Sequence, residues 1–261
     1  MNIQLFGKNA LVGGSSKGIG KATAIELARL GANVTLVARS AEVMSELIRQ
    51  LPRQEGQDHD FLQADFTDQE DLRSKIAALT SAKTIHILVN NTAGPPAGSI
   101  VKASTSAFLE AFNNHLICNH ILTQAVLPGM RQAGYGRIIN IISTSVKAPL
   151  DGLGVSNTVR AAVGNWAKTL ANELGPDGIT VNNVLPGYTL TDRLQEIILK
   201  KAETSGQRQE DIVLDMKAEV PLRRFAQPEE VAAAAAFLAS PAAAYITGIN
   251  LPVDGGRTKN L

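Results

Sequence analysis

The segment Leu153–Glu173, "LGVSNTVRAAVGNWAKTLANE", carries a hydroxyl and a cation four residues apart, Ser156 and Arg160. Apolar residues recur around them at helical spacing, and positions i and i+4 of a helix share a face. Such a pair can polarise a bound group, but its acid–base reach is small. An aliphatic hydroxyl is a far weaker acid than a phenol, whose pKa is about 10. A guanidinium stays charged at ordinary pH and supplies field rather than a mobile proton. A second suggestive stretch is "GGSSKGIGKATAIELA", in which Gly14, Gly18 and Gly20 lie at a strand-to-helix turn with Ser15, Ser16 and Lys17 between them. Glycines there let the backbone approach a pyrophosphate, and a helix opening at Ile19 presents free N–H groups and a positive dipole end to it.

Positioning these groups takes a scaffold of alternating strands and helices. Short β-branched runs at 9–13, 33–38, 59–63, 85–90, 137–143, 179–185 and 249–253 predict seven strands. Helical patterns such as "IGKATAIELARLG" and "DQEDLRSKIAALT" separate them. Asp68 reads as an N-cap with Asp71 as a capping-box-like partner, and Gly31 and Gly175 follow helical stretches where C-terminal glycines are common. The alternation predicts one α/β domain over 1–261, a doubly wound parallel sheet with helices on both faces. Residues 191–220 break the rhythm with two helical segments and no strand. They follow a strand end, where a substrate-covering insertion or a plain surface hairpin fits equally.

Composition narrows the function classes. The chain has 44% apolar but only 4% aromatic residues, so aliphatic side chains fill the core. Its 25 basic and 24 acidic residues leave a net charge of +1 without a basic cluster, which argues against a nucleic-acid or membrane-surface partner. Cys118 is the single cysteine, no signal-like N-terminus is read, and the longest apolar run, 231–239, is too short to span a bilayer. A cytoplasmic protein without a metal site is expected.

Further segments resemble the short-chain dehydrogenase/reductase family over nearly the whole chain. The glycine spacing matches that family's nucleotide loop. "LQADFTD" resembles its adenine-contacting segment, with Asp65 and then Phe66. "ILVNNTAG" resembles its strand end with Asn91, and "VNNVLPGYTLT" the stretch beside the nicotinamide with Pro186, Gly187 and Thr191. "VPLRRFAQPEEVAAAAAFLAS" and "ITGINLPVDGG" resemble its C-terminal helix and last strand. The resemblance implies a seven-stranded Rossmann fold, a homotetramer or homodimer, and hydride transfer between a nicotinamide cofactor and a small carbonyl or alcohol compound. It includes reductases of 3-oxoacyl carrier-protein thioesters.

In the family's register the catalytic serine falls on Ser143 and the asparagine on His115. The Tyr-x-x-x-Lys pair falls on Ser156 and Arg160, so this member is atypical. Ser143 then polarises the carbonyl, Arg160 holds ribose hydroxyls or an anionic substrate, and His115 is a candidate proton donor because imidazole titrates near neutrality. A merely structural histidine is the plainer reading. Tyr188 is a candidate pocket wall, and Lys147 and Asp151 are weaker candidates. Tyr135 is placed at the wrong end of the sheet, and His59, His86 and His120 read as structural or surface groups. Ala38 stands where NAD-type sites carry an acid, with Arg39 next to it and Lys17 in the glycine loop. A guanidinium can clamp a 2′-phosphate, so NADP(H) is expected over NAD(H). The lost tyrosine leaves a second possibility open, a catalytically weak or silent nucleotide-binding homologue.

Overall fold

The computed structural model describes residues 1–260. Seven strands, β1 (Asn9–Gly13), β2 (Asn33–Ala38), β3 (Asp60–Gln63), β4 (Ile87–Asn90), β5 (Gly136–Ile141), β6 (Ile179–Pro186) and β7 (Asn250–Val253), form one parallel sheet in the order β3-β2-β1-β4-β5-β6-β7. The central strands are buried along almost their whole length, as expected when helices cover both faces. On one face α1 (Gly18–Arg29) and α9 (Pro228–Ala239) pack through small residues, among them Ala24 and Ala28 of α1 and Ala232 and Ala235 of α9. Small side chains allow the two helix axes to approach closely over the sheet. The other face is covered by α3 (Gln69–Ala82), α5 (Cys118–Ala133) and α6 (Gly154–Leu174), which contribute Leu72, Leu122 and Leu170 to a second core. Strand order reverses between β1 and β4, and the crevice beyond their C-terminal ends is where sheets of this kind hold ligands.

A row of amides crosses the sheet near that end. Asn90 and Asn140, Asn140 and Asn183, and Asn183 and Asn250 are register partners on adjacent strands. Each Nδ2 donates to the next Oδ1 at 2.8–2.9 Å. Three of these residues are buried, and each such bond contributes about 1 kcal/mol while sparing a buried amide the larger cost of having no partner.

The predicted strands all form, and the shifts are local. Residues 59–63 shorten to β3 because His59 turns inward, its Nδ1 accepting from the Val34 N–H. Residues 137–143 end at Ile141 because Ser143 starts a short 3-10 turn. Asp68 caps α3 through the Asp71 N–H, but Asp71 pairs with Lys75 instead of reciprocating. Gly31 adopts a φ of 100°, whereas Gly175 stays helical and Gly178 takes the left-handed turn. The interval 191–220 forms α7 (Asp192–Ser205) and α8 (Gln209–Ala218) around a small core of Leu194, Ile198, Ile212 and Met216. Two further helices complete the chain's set, α2 (Ala41–Gln50) and α4 (Thr105–Phe112), and α4 runs through a π-helical turn, Asn113–Ile117, into α5. No helix among the described residues is long and apolar enough to cross a membrane.

Candidate active site

The glycine loop is a backbone structure with one side-chain brace. Gly14 and Gly18 both sit at φ of 56°, which L side chains rarely adopt. A Cβ on Gly20 would collide with the Gly14 carbonyl, so the first turn of α1 lies directly on the loop. Asn91 Nδ2 donates to the Gly13 and Gly14 carbonyls at 3.2 and 3.3 Å, tying the end of β4 to the end of β1. Asn91 therefore shapes the cradle. Ser15 is also a brace: its N–H and hydroxyl both point to the Val37 carbonyl, and its side chain is fully buried. Ser16 is half-buried, and Ile19 packs on the core beneath. Gly18, Ile19 and Gly20 open α1, leaving their N–H groups as the anion-facing end of the helix.

At the end of β2, Ser40 caps α2 and Arg39 is exposed with no acid bonded to it among the described residues. Arg39, Ala64, Asp65 and Lys75 line a hollow of about 340 Å³. The Thr67 backbone N–H, and more weakly Arg39, hold the Asp65 carboxyl below its ordinary pKa. Phe66 packs against the core while its carbonyl accepts from the Cys118 thiol. Lys17 does not stand free as the sequence reading assumed. Its ammonium meets Asp192 at 2.6 Å, at the start of α7, and both side chains are largely exposed.

The β6 end supplies the next wall. The Gly187 N–H donates to the Val253 carbonyl, and a side chain there would run into Asp254. Thr191 caps α7 by accepting from the Leu194 N–H, and its methyl lies 3.3 Å from where a Gly18 Cβ would stand. Tyr188 turns away from this wall. Its hydroxyl donates to Glu219, its ring lies under Arg257, and burial raises its pKa, so it ties α8 to the C-terminal segment.

Ser143 follows β5, while Ser156 and Arg160 lie one helical turn apart on α6. Ser143 accepts from the Ser145 N–H at 3.1 Å, leaving its O–H free to donate. Ser156 is half-buried in the first turn of α6, with no partner for its hydroxyl among the described residues. Arg160 is buried and donates to the carbonyls of Ile141 at 3.0 Å and Thr92 at 3.4 Å. Burial, with the nearby Arg193, brings its pKa down to about 10, so it remains a cation at neutral pH. His115 sits inside the π-helical turn with its Nδ1 bonded to Thr92 Oγ1. Such turns often mark functional positions. Yet burial, then Arg160 and Arg193, push its pKa down to about 2. The expectation of an imidazole titrating near neutrality is therefore wrong: His115 is a neutral hydrogen-bond partner.

Some expected groups stay outside. Asp151 is exposed, and the bonds of Lys147 are backbone ones, its N–H donating to the Thr144 carbonyl and its carbonyl accepting from Asn260. The Tyr135 hydroxyl binds the Ala239 carbonyl at the far end of the sheet. Sequence reasoning missed Thr92, which holds His115, and Arg193, which reaches from α7 to the Pro95 carbonyl at 2.6 Å. Arg193 and Pro95 are 98 positions apart, so no local pattern links them. Among the described residues no cluster of three or more His, Cys, Asp or Glu is placed to hold a metal ion.

Comparison with known proteins decides the family. Residues 14–258 match the family described as enoyl-(acyl carrier protein) reductase. The 3-oxoacyl-(acyl-carrier-protein) reductase of Pseudomonas aeruginosa is 35% identical over 257 residues, 97% of this chain and 98% of the relative. The chain is a short-chain dehydrogenase/reductase. The 7alpha-hydroxysteroid dehydrogenase of Escherichia coli is 31% identical over 100% of this chain and 98% of its own. The L-sorbose reductase of Gluconobacter frateurii, solved with NADPH and L-sorbose, superposes with a TM-score of 0.91 at 32% identity and covers both chains fully. An actinorhodin polyketide ketoreductase solved with NADPH gives 0.90 at 30% identity over 97% of this chain and 98% of that one. This short-chain oxidoreductase thus has the family's seven-stranded fold.

Proposed function

We propose that this short-chain oxidoreductase binds NADP(H) and interconverts a small carbonyl compound and its alcohol at a site where Ser156 and Arg160 stand for the usual tyrosine and lysine. The reading rests chiefly on the Asn91-braced glycine cradle, which puts the open end of α1 where a diphosphate would lie. Similar structures solved with NADPH support it. The bound nicotinamide would supply the hydride. Arg39, bonded to no acid among the described residues, would hold the 2′-phosphate with Lys17 once that side chain leaves Asp192, and Asp65 would meet the adenine. Ser143 would donate its free O–H to the substrate oxygen. Arg160 would stabilise negative charge there without giving up a proton. His115 is held neutral and Ser156 is a weak acid, so water would return the proton through the two serines. The helical pair α7–α8 would cover the substrate, and a homodimer or homotetramer is the expected assembly.

The lack of any group in this pocket titrating near neutrality favours a second reading, a nucleotide-bound member with little turnover. One experiment addresses both. NADPH and NADH are titrated into the protein, and hydride transfer is followed over ketone, aldehyde and 3-oxoacyl thioester panels. NADPH should bind more tightly by roughly 10-fold or more, a preference that Arg39→Ala removes. Tighter NADH binding would refute the assignment of Arg39, and binding without turnover on any panel would establish the second reading.

A further inference from the structure

The catalytic wall carries more positive charge than its own residues neutralise. Arg160 is buried, and its bonds go only to the carbonyls of Ile141 and Thr92; among the described residues no carboxylate pairs with it. Arg193 comes in from α7 and donates to the Pro95 carbonyl, while Glu196 holds its other side from an exposed position. Gly94 lies between the two. The place its Cβ would take is 3.7 Å from Arg160 Nη2 and 3.7 Å from Arg193 Nε. The neighbouring His115 adds no charge to balance or oppose them. Arg193 has Glu196 as a counter-ion, but Arg160, buried and bonded only to carbonyls, is costly without an anion of its own. If it served only to tie loops to carbonyls, a neutral donor would do so without that cost.

We propose that Arg160 and Arg193, meeting over Gly94, form the receptor for a carboxylate on the substrate, so that the enzyme acts on carbonyl or alcohol compounds bearing a carboxylate. This deepens the hydride-transfer reading above and depends on it for the reaction. The carboxylate is held and unchanged: hydride from NADPH adds to the carbonyl carbon, and the oxygen takes a proton that originates in water. Guanidinium forks match a carboxylate with parallel hydrogen bonds, and the absence of a side chain at position 94 leaves both guanidinium groups without a covering side chain from that residue. The competing occupant is the diphosphate of the cofactor. It would draw on the same cations from the side of the glycine loop, which Thr191 of the same segment touches.

The test compares 3-oxobutanoate and 4-oxopentanoate with their methyl esters. Binding is measured by calorimetry and thermal shift on the full chain, with and without NADP+. The acids should bind roughly 10- to 100-fold more tightly than the esters, as expected when charge-assisted hydrogen bonds are lost. Arg193→Met should erase that ratio while NADPH affinity holds within about twofold, and Gly94→Val should do the same by placing a side chain against both guanidinium groups. Equal binding of acid and ester overturns the proposal. So does a loss of NADPH affinity in Arg193→Met as large as the loss for the acids, which would give the cations to the cofactor's phosphates. Failure of NADPH to bind at all removes the nucleotide reading instead, and the acid–ester comparison on the protein alone still decides the arginine pair.

Discussion

The nucleotide cradle and the catalytic wall are built from different material. The cradle is backbone: Gly14, Gly18 and Gly20 lie where side chains do not fit, and Asn91 spends its amide on loop carbonyls. The wall is side chain: Ser143, the α6 pair Ser156 and Arg160, and His115 come from three separate elements. A backbone device tolerates little substitution, because each atom is already in contact. A side-chain device can be exchanged residue by residue while the frame stands, so the proposed replacement of a phenol and an ammonium by Ser156 and Arg160 would leave the fold intact.

The contrast can be broken from the cradle side. Gly20→Ala forces a Cβ into the Gly14 carbonyl and should cost on the order of 3 kcal/mol, read as a loss of about 100-fold in NADPH affinity or as an equivalent fall in stability. Gly175→Ala is its control: the residue is already helical with open space around it, so stability should hold or rise slightly. Normal NADPH binding by Gly20→Ala would show that the loop is softer than its contacts imply.

On the wall, Ser156→Tyr with Arg160→Lys restores a titratable phenol and a cation on one helix face. Carbonyl reduction should rise by about 100-fold, the low end of what a positioned general acid supplies. No gain, with fold and NADPH binding intact, would mean that the pocket is laid out for other chemistry.

The smallest effect concerns His115. Its pKa in the folded protein, about 2, lies below its unfolded value near 6.5, so the unfolded chain takes up a proton first as pH falls. Its contribution to stability is present above about pH 6.5 and is lost on acidification, at up to about 1.4 kcal/mol per pH unit. His115→Gln should flatten unfolding free energy between pH 6 and 4 relative to wild type, by about that slope or less. It should leave no inflection near neutrality in the rate profile. A bend near pH 6.5 in the wild-type rate that the variant lacks would restore His115 as the acid.

Much of the frame was legible because buried parallel strands write continuous β-branched runs, and β1 and β2 fall on the predicted residues. The glycine loop was legible because its constraint is local to seven consecutive positions, 14–20. The wall was less so. That His115 stays neutral depends first on its burial and then on Arg160 and Arg193, which lie far along the chain and meet it only in three dimensions. That Lys17 belongs to Asp192, and Arg193 to Pro95, are likewise facts of tertiary placement. Even the left-handed turn after α6 went to Gly178 and not to Gly175, because the chain adds a further 3-10 turn before leaving the helix.

The amide row across β4–β7 has a direction: every Nδ2 points toward β7. Hydrolysis of one amide to an acid is therefore not equivalent along the row. At Asn250, the exposed terminus, an acid still receives the bond from Asn183, and the row survives. At Asn140 or Asn183 the same change removes a donor in the interior and strands the next oxygen. Ageing of this enzyme by deamidation should thus be benign at one margin of the sheet and damaging one and two strands further in.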